Sequence, residues 1–377
     1  MSGIYIHIPF CKQACYYCDF HFSTSLKKKD DLILALIKEI ELRKDELKNE
    51  TIETIYFGGG TPSLLSNSQL LLILNSVYDN FNVVKNPEIT LEANPDDLSK
   101  KRIKSLTNTP INRLSIGIQS FFEDHLKVMN RAHNAQESKD CLSVATQYFN
   151  NITIDLIYGI PNMSLKKWGQ NLEMAFNFGV NHISSYALTV EPKTALDSFI
   201  KKGTYPPLDE TLALEHFNYL VKSTKNEGFI QYEISNFGKP NYFSKHNTSY
   251  WQGKKYLGIG PSAHSFLGDQ RSWNVSNNTK YIKAIQNNKL PITVEKLSKI
   301  DRFNEYIMTG LRTIWGVCFN KVEEEFGLVF LQHLKKTSRK FIDQGLLIAE
   351  SEEQEILLTT QKGKFLVDGI ASELFMI

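Results

Sequence analysis

The stretch from Tyr5 to Phe20 reads Y-I-H-I-P-F-C-K-Q-A-C-Y-Y-C-D-F, and its reading decides the fold. Residues 4–8, I-Y-I-H-I, are a short run rich in apolar, strand-forming residue types. Directly after them, Cys11, Cys15 and Cys18 stand in a C-x3-C-x2-C spacing. Three thiolates on one tight loop can hold three irons of a cubane [4Fe–4S] cluster, which leaves the fourth iron open to a small molecule. A structural zinc site would want a fourth ligand, and His7 or His21 can supply one. Three unligated thiols are the remaining alternative. Pro9, Tyr16, Tyr17, Phe20 and Phe22 can wall a cluster from water, or they can be plain core packing.

Outward from this loop, short β-rich runs alternate with helical patterns. Strands are expected at 4–8, 51–57, 88–93, 113–118, 152–158 and 182–188. Helices are expected at 30–49, 66–81, 134–149 and 164–179, the last capped by Gly179. The alternation predicts an α/β chain with a parallel sheet covered by helices. It counts six units, short of the eight of a closed barrel. A further helix (208–229) and strand (230–235) complete a first region, 1–236. Residues 237–299 show little periodicity and are expected to be an irregular connecting segment. From 300 to 377 the pattern is helical again (301–315, 322–345 and 360–375), with a candidate hairpin at 346–359. This resembles a small helical, winged-helix-like domain with a two-stranded wing. Residues 301–377 hold nine basic and twelve acidic side chains, which argues against DNA reading and for a structural or docking role.

Composition excludes other classes. The chain has 377 residues, 42% of them hydrophobic, so it can bury a large core and is not a disordered chain. Lys+Arg 43 against Asp+Glu 41 leaves no basic bias for a nucleic-acid partner. No apolar run reaches the length of a membrane span, and no signal peptide is visible. Five cysteines, an odd number, do not make a disulfide scaffold. A reducing cytoplasm fits better, with Cys141 and Cys318 as bystanders buried in helices.

The cysteine spacing on the first strand–helix loop of such a chain resembles the radical S-adenosylmethionine (SAM) superfamily. The resemblance implies a partial (β/α)6 barrel in which SAM chelates the open iron and an electron from the cluster cleaves it. Other loops agree. Gly58-Gly59-Gly60-Thr61-Pro62 follows the second strand, and glycines there leave backbone N–H groups bare to a ligand. Glu92 lies in L-E-A-N-P, Gln119 in S-I-G-I-Q-S-F, Arg131 in N-R-A-H and Asp155 in D-L-I-Y-G. Polar groups at the carboxyl ends of parallel strands point to a ligand site. Together with Y-x-H-I-P-F-C, these motifs resemble the oxygen-independent coproporphyrinogen III oxidase family and its relatives. The resemblance implies that Cys11, Cys15 and Cys18 bind the cluster. It implies that Tyr5, Tyr17, Gly59, Gly60, Thr61, Glu92, Gln119, Arg131 and Asp155 line SAM, with Arg131 facing a carboxylate.

Two branches of that family differ at one position. The oxidase pattern has a fourth cysteine two residues after the third, where this chain has Phe20. The heme-chaperone branch has C-x3-C-x2-C-x-F and the string H-N-x-x-Y-W, which stands here at His246-Asn247-Thr248-Ser249-Tyr250-Trp251. The resemblance implies His246 as an axial heme ligand with Tyr250 and Trp251 against the porphyrin. Lys245, Lys254 and Lys255 would pair with propionates, and His264 is a second candidate contact. The expectation is therefore a cytoplasmic heme chaperone carrying a [4Fe–4S] cluster, SAM and heme. Its partners would be an electron donor and heme-accepting apoproteins, among them membrane-associated respiratory enzymes. The rivals are an oxidative decarboxylase of coproporphyrinogen III and a radical SAM enzyme acting on another tetrapyrrole.

Overall fold

Six parallel strands run side by side in chain order: β1 (Ser2–Ile8), β2 (Ile52–Gly59), β3 (Val83–Ala93), β4 (Arg113–Gln119), β5 (Ile152–Tyr158) and β6 (His182–Ala187). The computed structural model describes residues 2–350 and 355–377. Six helices lie between or beside these strands: α1 (Lys29–Leu42), α2 (Asn67–Asn80), α3 (Lys100–Leu106), α4 (Glu123–Val128), α5 (Ala135–Tyr148) and α6 (Leu165–Asn177). Capping boxes at Ser66–Gln69 and Asn134–Glu137 start α2 and α5, and Gly179 follows α6 with a left-handed φ of 72°. The six strands form a partial (β/α)6 barrel, because further strands extend both edges of the sheet instead of closing it.

Strand β4 shows how such a barrel makes a site. Side chains alternate across a strand. Leu114, Ile116 and Ile118 join the main hydrophobic core, while Arg113, Ser115, Gly117 and Gln119 line an internal cavity.

After α7 (Ala195–Lys201) and α8 (Glu210–Asn226), β7 (Ile230–Glu233) and β8 (Asn236–Gly238) extend the β6 edge antiparallel. The segment 237–299 is not irregular. It forms α9 (Lys245–Trp251), β9 (Tyr256–Ile259), β10 (His264–Phe266), β11 (Gln270–Asn274), α10 (Asn278–Gln286) and β12 (Ile292–Lys296). Strand β9 pairs parallel with β1, and the next three strands continue the same sheet antiparallel. These strands are three to five residues long, too short for a periodicity to register.

A buried ion pair fixes them to α1. Glu39 and Arg43 are 0% and 1% exposed. Arg43 donates to the Gly258 carbonyl (2.8 Å), to Ser265 Oγ (3.1 Å) and to Glu39 (3.1 Å). Glu39 accepts from the Gly260 N–H (2.8 Å), Asn274 Nδ2 (2.7 Å) and the Tyr281 hydroxyl (2.6 Å).

The remainder builds a second core: α11 (Lys299–Leu311), β13 (Val317–Cys318), α12 (Phe319–Phe326), α13 (Leu328–Asp343), β14 (Leu347–Glu350), β15 (Ile356–Thr359) and α14 (Val367–Glu373). The wing is three-stranded, in the order β13-β15-β14. The expected helix over 322–345 is two helices, because Gly327 takes a φ of 94° between them. The last helix begins at Val367, after a short 3-10 turn, and not at 360. Residues 351–354 of the candidate hairpin lie outside the described residues. Among the described residues no helix is long and apolar enough to cross a membrane.

Replacing Glu39 with alanine leaves the Arg43 charge and the Gly260 N–H buried with fewer partners. Arg43 keeps Glu46 at 2.7 Å, so the cost is mainly that of the orphaned Gly260 N–H and Tyr281 hydroxyl, about 1–3 kcal/mol each. Denaturant unfolding of Glu39→Ala is expected to show that loss, and a midpoint equal to the wild type would refute the role given to this pair.

Candidate functional site

The cysteine loop is clamped at both ends. Cys11 N–H donates to the Ser23 carbonyl (3.1 Å) and Ser23 N–H to the Pro9 carbonyl (2.8 Å). Tyr16 N–H reaches the Met129 carbonyl at 3.2 Å, and the Tyr16 carbonyl accepts from Leu196 N–H at 2.8 Å. Asn130, held at a φ of 55°, donates to the Ala14 carbonyl (2.7 Å) and accepts from Gln13 (2.9 Å). Lys12 pairs with Asp96 at 2.7 Å and with Asp97. The loop is thus pinned to the connections after β3, β4 and β6.

Neither histidine completes a zinc site. His7 Nε2 lies 3.1 Å from the His21 carbonyl, so it carries the proton, and Nδ1 accepts from the Tyr5 hydroxyl at 3.1 Å. Burial lowers the His7 pKa to about 4. His21 Nε2 bonds Asn278 Oδ1 at 2.7 Å. Among the described residues, no three His, Cys, Asp or Glu side chains converge on a single-ion site. A cubane does not need that convergence, since each thiolate takes a different iron. All three thiols line one cavity of about 720 Å³. Burial raises the thiol of Cys11 and pushes that of Cys18 up to about 11, so iron must displace protons to bind. The donor set fits a three-thiolate cluster.

The glycine loop closes on the cysteines from β2. Gly59 has a φ of 109°. A Cβ on Gly60 would sit 2.7 Å from the Phe10 carbonyl oxygen and 3.0 Å from Cys11 Sγ. Only glycine permits that approach.

Arg131 joins three elements. Nη1 donates to Cys15 Sγ (3.3 Å) and the Tyr17 hydroxyl (3.2 Å), and Nη2 donates to Asn94 Oδ1 (2.6 Å) and the Gly117 carbonyl (3.0 Å). Its Nε is buried with no hydrogen-bond partner among the described residues. An unpaired buried donor beside the thiols suits an anionic ligand group. Glu92 accepts from the Tyr56 hydroxyl (2.8 Å) and the Gly59 N–H (3.1 Å). Burial, with the Asp155 charge adding to it, raises Glu92 to about 7. Burial also raises Asp155 to about 7, against the pull of Arg131 and Arg113. Gln119 ends β4 at a φ of 62°, a strained position for a side chain other than glycine, and it too faces the cavity.

The cavity therefore gathers Cys11, Cys15, Cys18, Tyr17, Gly59, Gly60, Thr61, Glu92, Gln119, Arg131 and Asp155. Tyr5 is not in its lining and stands behind it, bonded to His7. His246, Tyr250 and Trp251 are not in the lining either, although their neighbour Asn247 is. His246 is 1% exposed, and both ring nitrogens are engaged, Nδ1 with Thr54 Oγ1 (2.7 Å) and Nε2 with the Tyr250 hydroxyl (2.6 Å). Its ring stacks on Tyr56 at 4.9 Å, and its backbone N–H donates to Glu88 at 3.1 Å. In this structure the imidazole packs α9 against the barrel, with both ring nitrogens bonded. Trp251 carries the Arg312 guanidinium 5.3 Å from its ring centroid. Lys254 and Lys255 pair with Glu53 (3.8 Å) and Glu50 (2.8 Å). His264 stacks on Trp273 away from the cavity. Cys141 is buried in α5, but Cys318 lies in β13, not in a helix.

Sequence reasoning missed Arg113, Tyr158, Phe217, Arg312, Lys364 and Phe365, all in the lining. Arg113 was findable, since R-L-S-I-G-I-Q alternates polar or small with apolar residues. The last three come from the C-terminal domain, which no local signal ties to the barrel.

Comparison with known proteins adds the following. The model of the radical SAM superfamily matches residues 5–175, and that of the HemN C-terminal domain matches 297–366. The chain is 33% identical over 376 residues to a protein named heme chaperone HemW from Bacillus subtilis (strain 168), covering 97% of each. It is 34% identical over 380 residues to the heme chaperone HemW of Lactococcus lactis subsp. lactis (strain IL1403), covering 98% of each. Among solved structures, the coproporphyrinogen III oxidase HemN from Escherichia coli, described as a radical SAM enzyme, superposes with a TM-score of 0.86. It is 22% identical, with 100% of this chain and 90% of that one covered, and so shares the fold.

Two outcomes are expected. Gly60→Ala should bind far less iron than the wild type after anaerobic reconstitution, read as iron per chain, because its Cβ displaces Phe10 and Cys11; full iron loading would contradict this. Asp155→Asn should raise the Tm of the cofactor-free protein at about pH 8 and not at about pH 4. The sign follows from the raised carboxyl: the folded state holds its proton, so stability is lost as pH rises from the ordinary carboxyl range to about 7. A Tm gain equal at both pH values would remove the titration of Asp155 as the cause.

Proposed function

We propose that this chain, which belongs to the heme chaperone HemW family within the radical SAM superfamily, binds heme and hands it to heme-accepting apoproteins, membrane-associated respiratory enzymes among them. The observation that carries this reading is the cavity itself. It has three thiols, not four, at its β1 end and continues past Asp155 to aromatic side chains from β5, α8 and the C-terminal domain. Phe20, where the oxidase pattern has a cysteine, stands 68% exposed in the lining.

Cys11, Cys15 and Cys18 would hold a [4Fe–4S] cluster. When bound, the cluster supplies an electron to SAM or fixes SAM as a structural ligand. The chain's own residues do the rest. Arg131, through its unpaired Nε, holds a carboxylate, and its Nη1 hydrogen bond orients Cys15. Gly59 and Gly60, whose N–H groups are held by Glu92 and the Ile8 carbonyl, carry no side chain and so let a ligand come close to the backbone. Glu92 and Asp155, each raised to about 7, hold or release a proton near neutral pH. Tyr17 covers the Arg131 side. We place the protein in a reducing cytoplasm, where unbridged thiols and a cluster persist; among the described residues no two cysteines form a disulfide.

The test has two readouts on anaerobically reconstituted protein. Titrated hemin is expected to develop a protein-bound Soret band. Coproporphyrinogen III with SAM and a reductant is expected to give no protoporphyrin fluorescence. Sustained turnover would replace this reading by decarboxylation. His246→Ala should keep the Soret change but lower the stability by about 2–4 kcal/mol, the range for emptying a buried, packed site. A folded variant that loses the Soret change would restore His246 as the iron ligand.

A further inference from the structure

The C-terminal side of the cavity carries a cation without an anion. Lys364 opens the turn before α14, partly buried, and its Nζ donates to Gln231 Oε1 at 2.7 Å. Gln231 is oriented for this, because its Nε2 donates to the Ile234 carbonyl at 3.0 Å. An amide carries no charge, and among the described residues no carboxylate pairs with Lys364. The nearby carboxylates are already spent: Arg312 takes Glu233 at 3.2 Å and also Asp368. Burial alone lowers the Lys364 pKa, to about 8, with no negative neighbour to oppose it. A desolvated ammonium that faces a cavity is a subsite for an anion.

The wall beside it says what the rest of the ligand is. Phe365 lies 5.7 Å from Phe217, and Phe217 lies 6.4 Å from Tyr158, centroid to centroid. All three line the same cavity as Lys364. A flat apolar body with a carboxylate at its edge matches a row of aromatic rings ending in one ammonium.

We infer that Lys364 is a carboxylate subsite that pairs with a propionate of a tetrapyrrole lying along Phe365, Phe217 and Tyr158. This rests on the heme-binding reading above and adds where the macrocycle lies and which group fixes its edge. It assigns the C-terminal domain a part in binding the ligand.

The probes are hemin and hemin dimethyl ester, which share the macrocycle and iron but differ in the carboxylates. Soret titrations use the full-length reconstituted protein and two variants, Lys364→Met and Lys362→Met. Lys362 is exposed and donates to the Gln344 carbonyl. The wild type and Lys362→Met are expected to prefer hemin over the diester by about tenfold, the worth of one charge-assisted hydrogen bond. Lys364→Met should bind both probes equally and keep its diester affinity within about twofold, which also shows that it folds. A Lys364→Met protein that retains the preference overturns the subsite and leaves the heme reading intact. A wild type without the preference does the same. A wild type that binds neither probe overturns both.

Discussion

The guanidinium of Arg131 is the contact on which the site depends. It bonds the Cys15 sulfur and the Tyr17 hydroxyl on one side and Asn94 and the Gly117 carbonyl on the other. Those partners sit on the cysteine loop, the turn after β3 and strand β4. A planar donor with fixed geometry can hold three such elements in one register, where a flexible ammonium could not. The backbone clamps on Ser23, Met129 and Leu196 then fix the path of the loop, and Arg131 fixes the side chains on it. Its Nε is buried without a hydrogen-bond partner among the described residues.

Charge inside the barrel is balanced in a way that leaves protons available. Burial outweighs the pull of Arg131 and Arg113 on Asp155 and the hydrogen bonds from Tyr56 and Gly59 on Glu92, so both carboxyls are raised. The arrangement costs the empty protein stability at neutral pH. Such a cost is tolerated where a ligand's charges can repay it, and a cationic sulfonium beside two buried carboxyls is one ligand with that complement.

The cysteine loop, the six parallel strands and the residues at their carboxyl ends were legible in the sequence. They are local: each is a run or a spacing within a few residues, and a parallel barrel brings strand ends together without further information. Two parts were not legible, for one reason. The strands β9 to β12 are held by Glu39 and Arg43, a buried pair more than two hundred residues away in sequence, and charged residues on a helix read as solvent-facing. The string at 246–251 was read from its chemistry, as a histidine with aromatic partners. Its burial is set by Thr54 and Glu88, which lie on strands whose inward faces are polar. Those bonds to Thr54 and Glu88, far away in sequence, are not visible in the string itself.

The C-terminal domain has its own hydrophobic core, and it is held to β7 by polar contacts as well as by Ile234 packed against that core. Ile234 N–H donates to the Arg312 carbonyl at 3.1 Å, Ile314 N–H to the Tyr232 carbonyl at 3.1 Å, and Arg312 itself to Glu233. Strand β7 is the sheet edge that a six-stranded barrel leaves open, so the domain covers an unpaired edge and supplies the missing wall in one step. The gap in the barrel and the domain that covers it are thus one design. An eight-stranded barrel would close over its cavity with its own strands. Six strands leave the cavity open on one side, and there its wall is completed by Arg312, Lys364, Phe365 and Asp368 of the covering domain beside Tyr158 and Phe217.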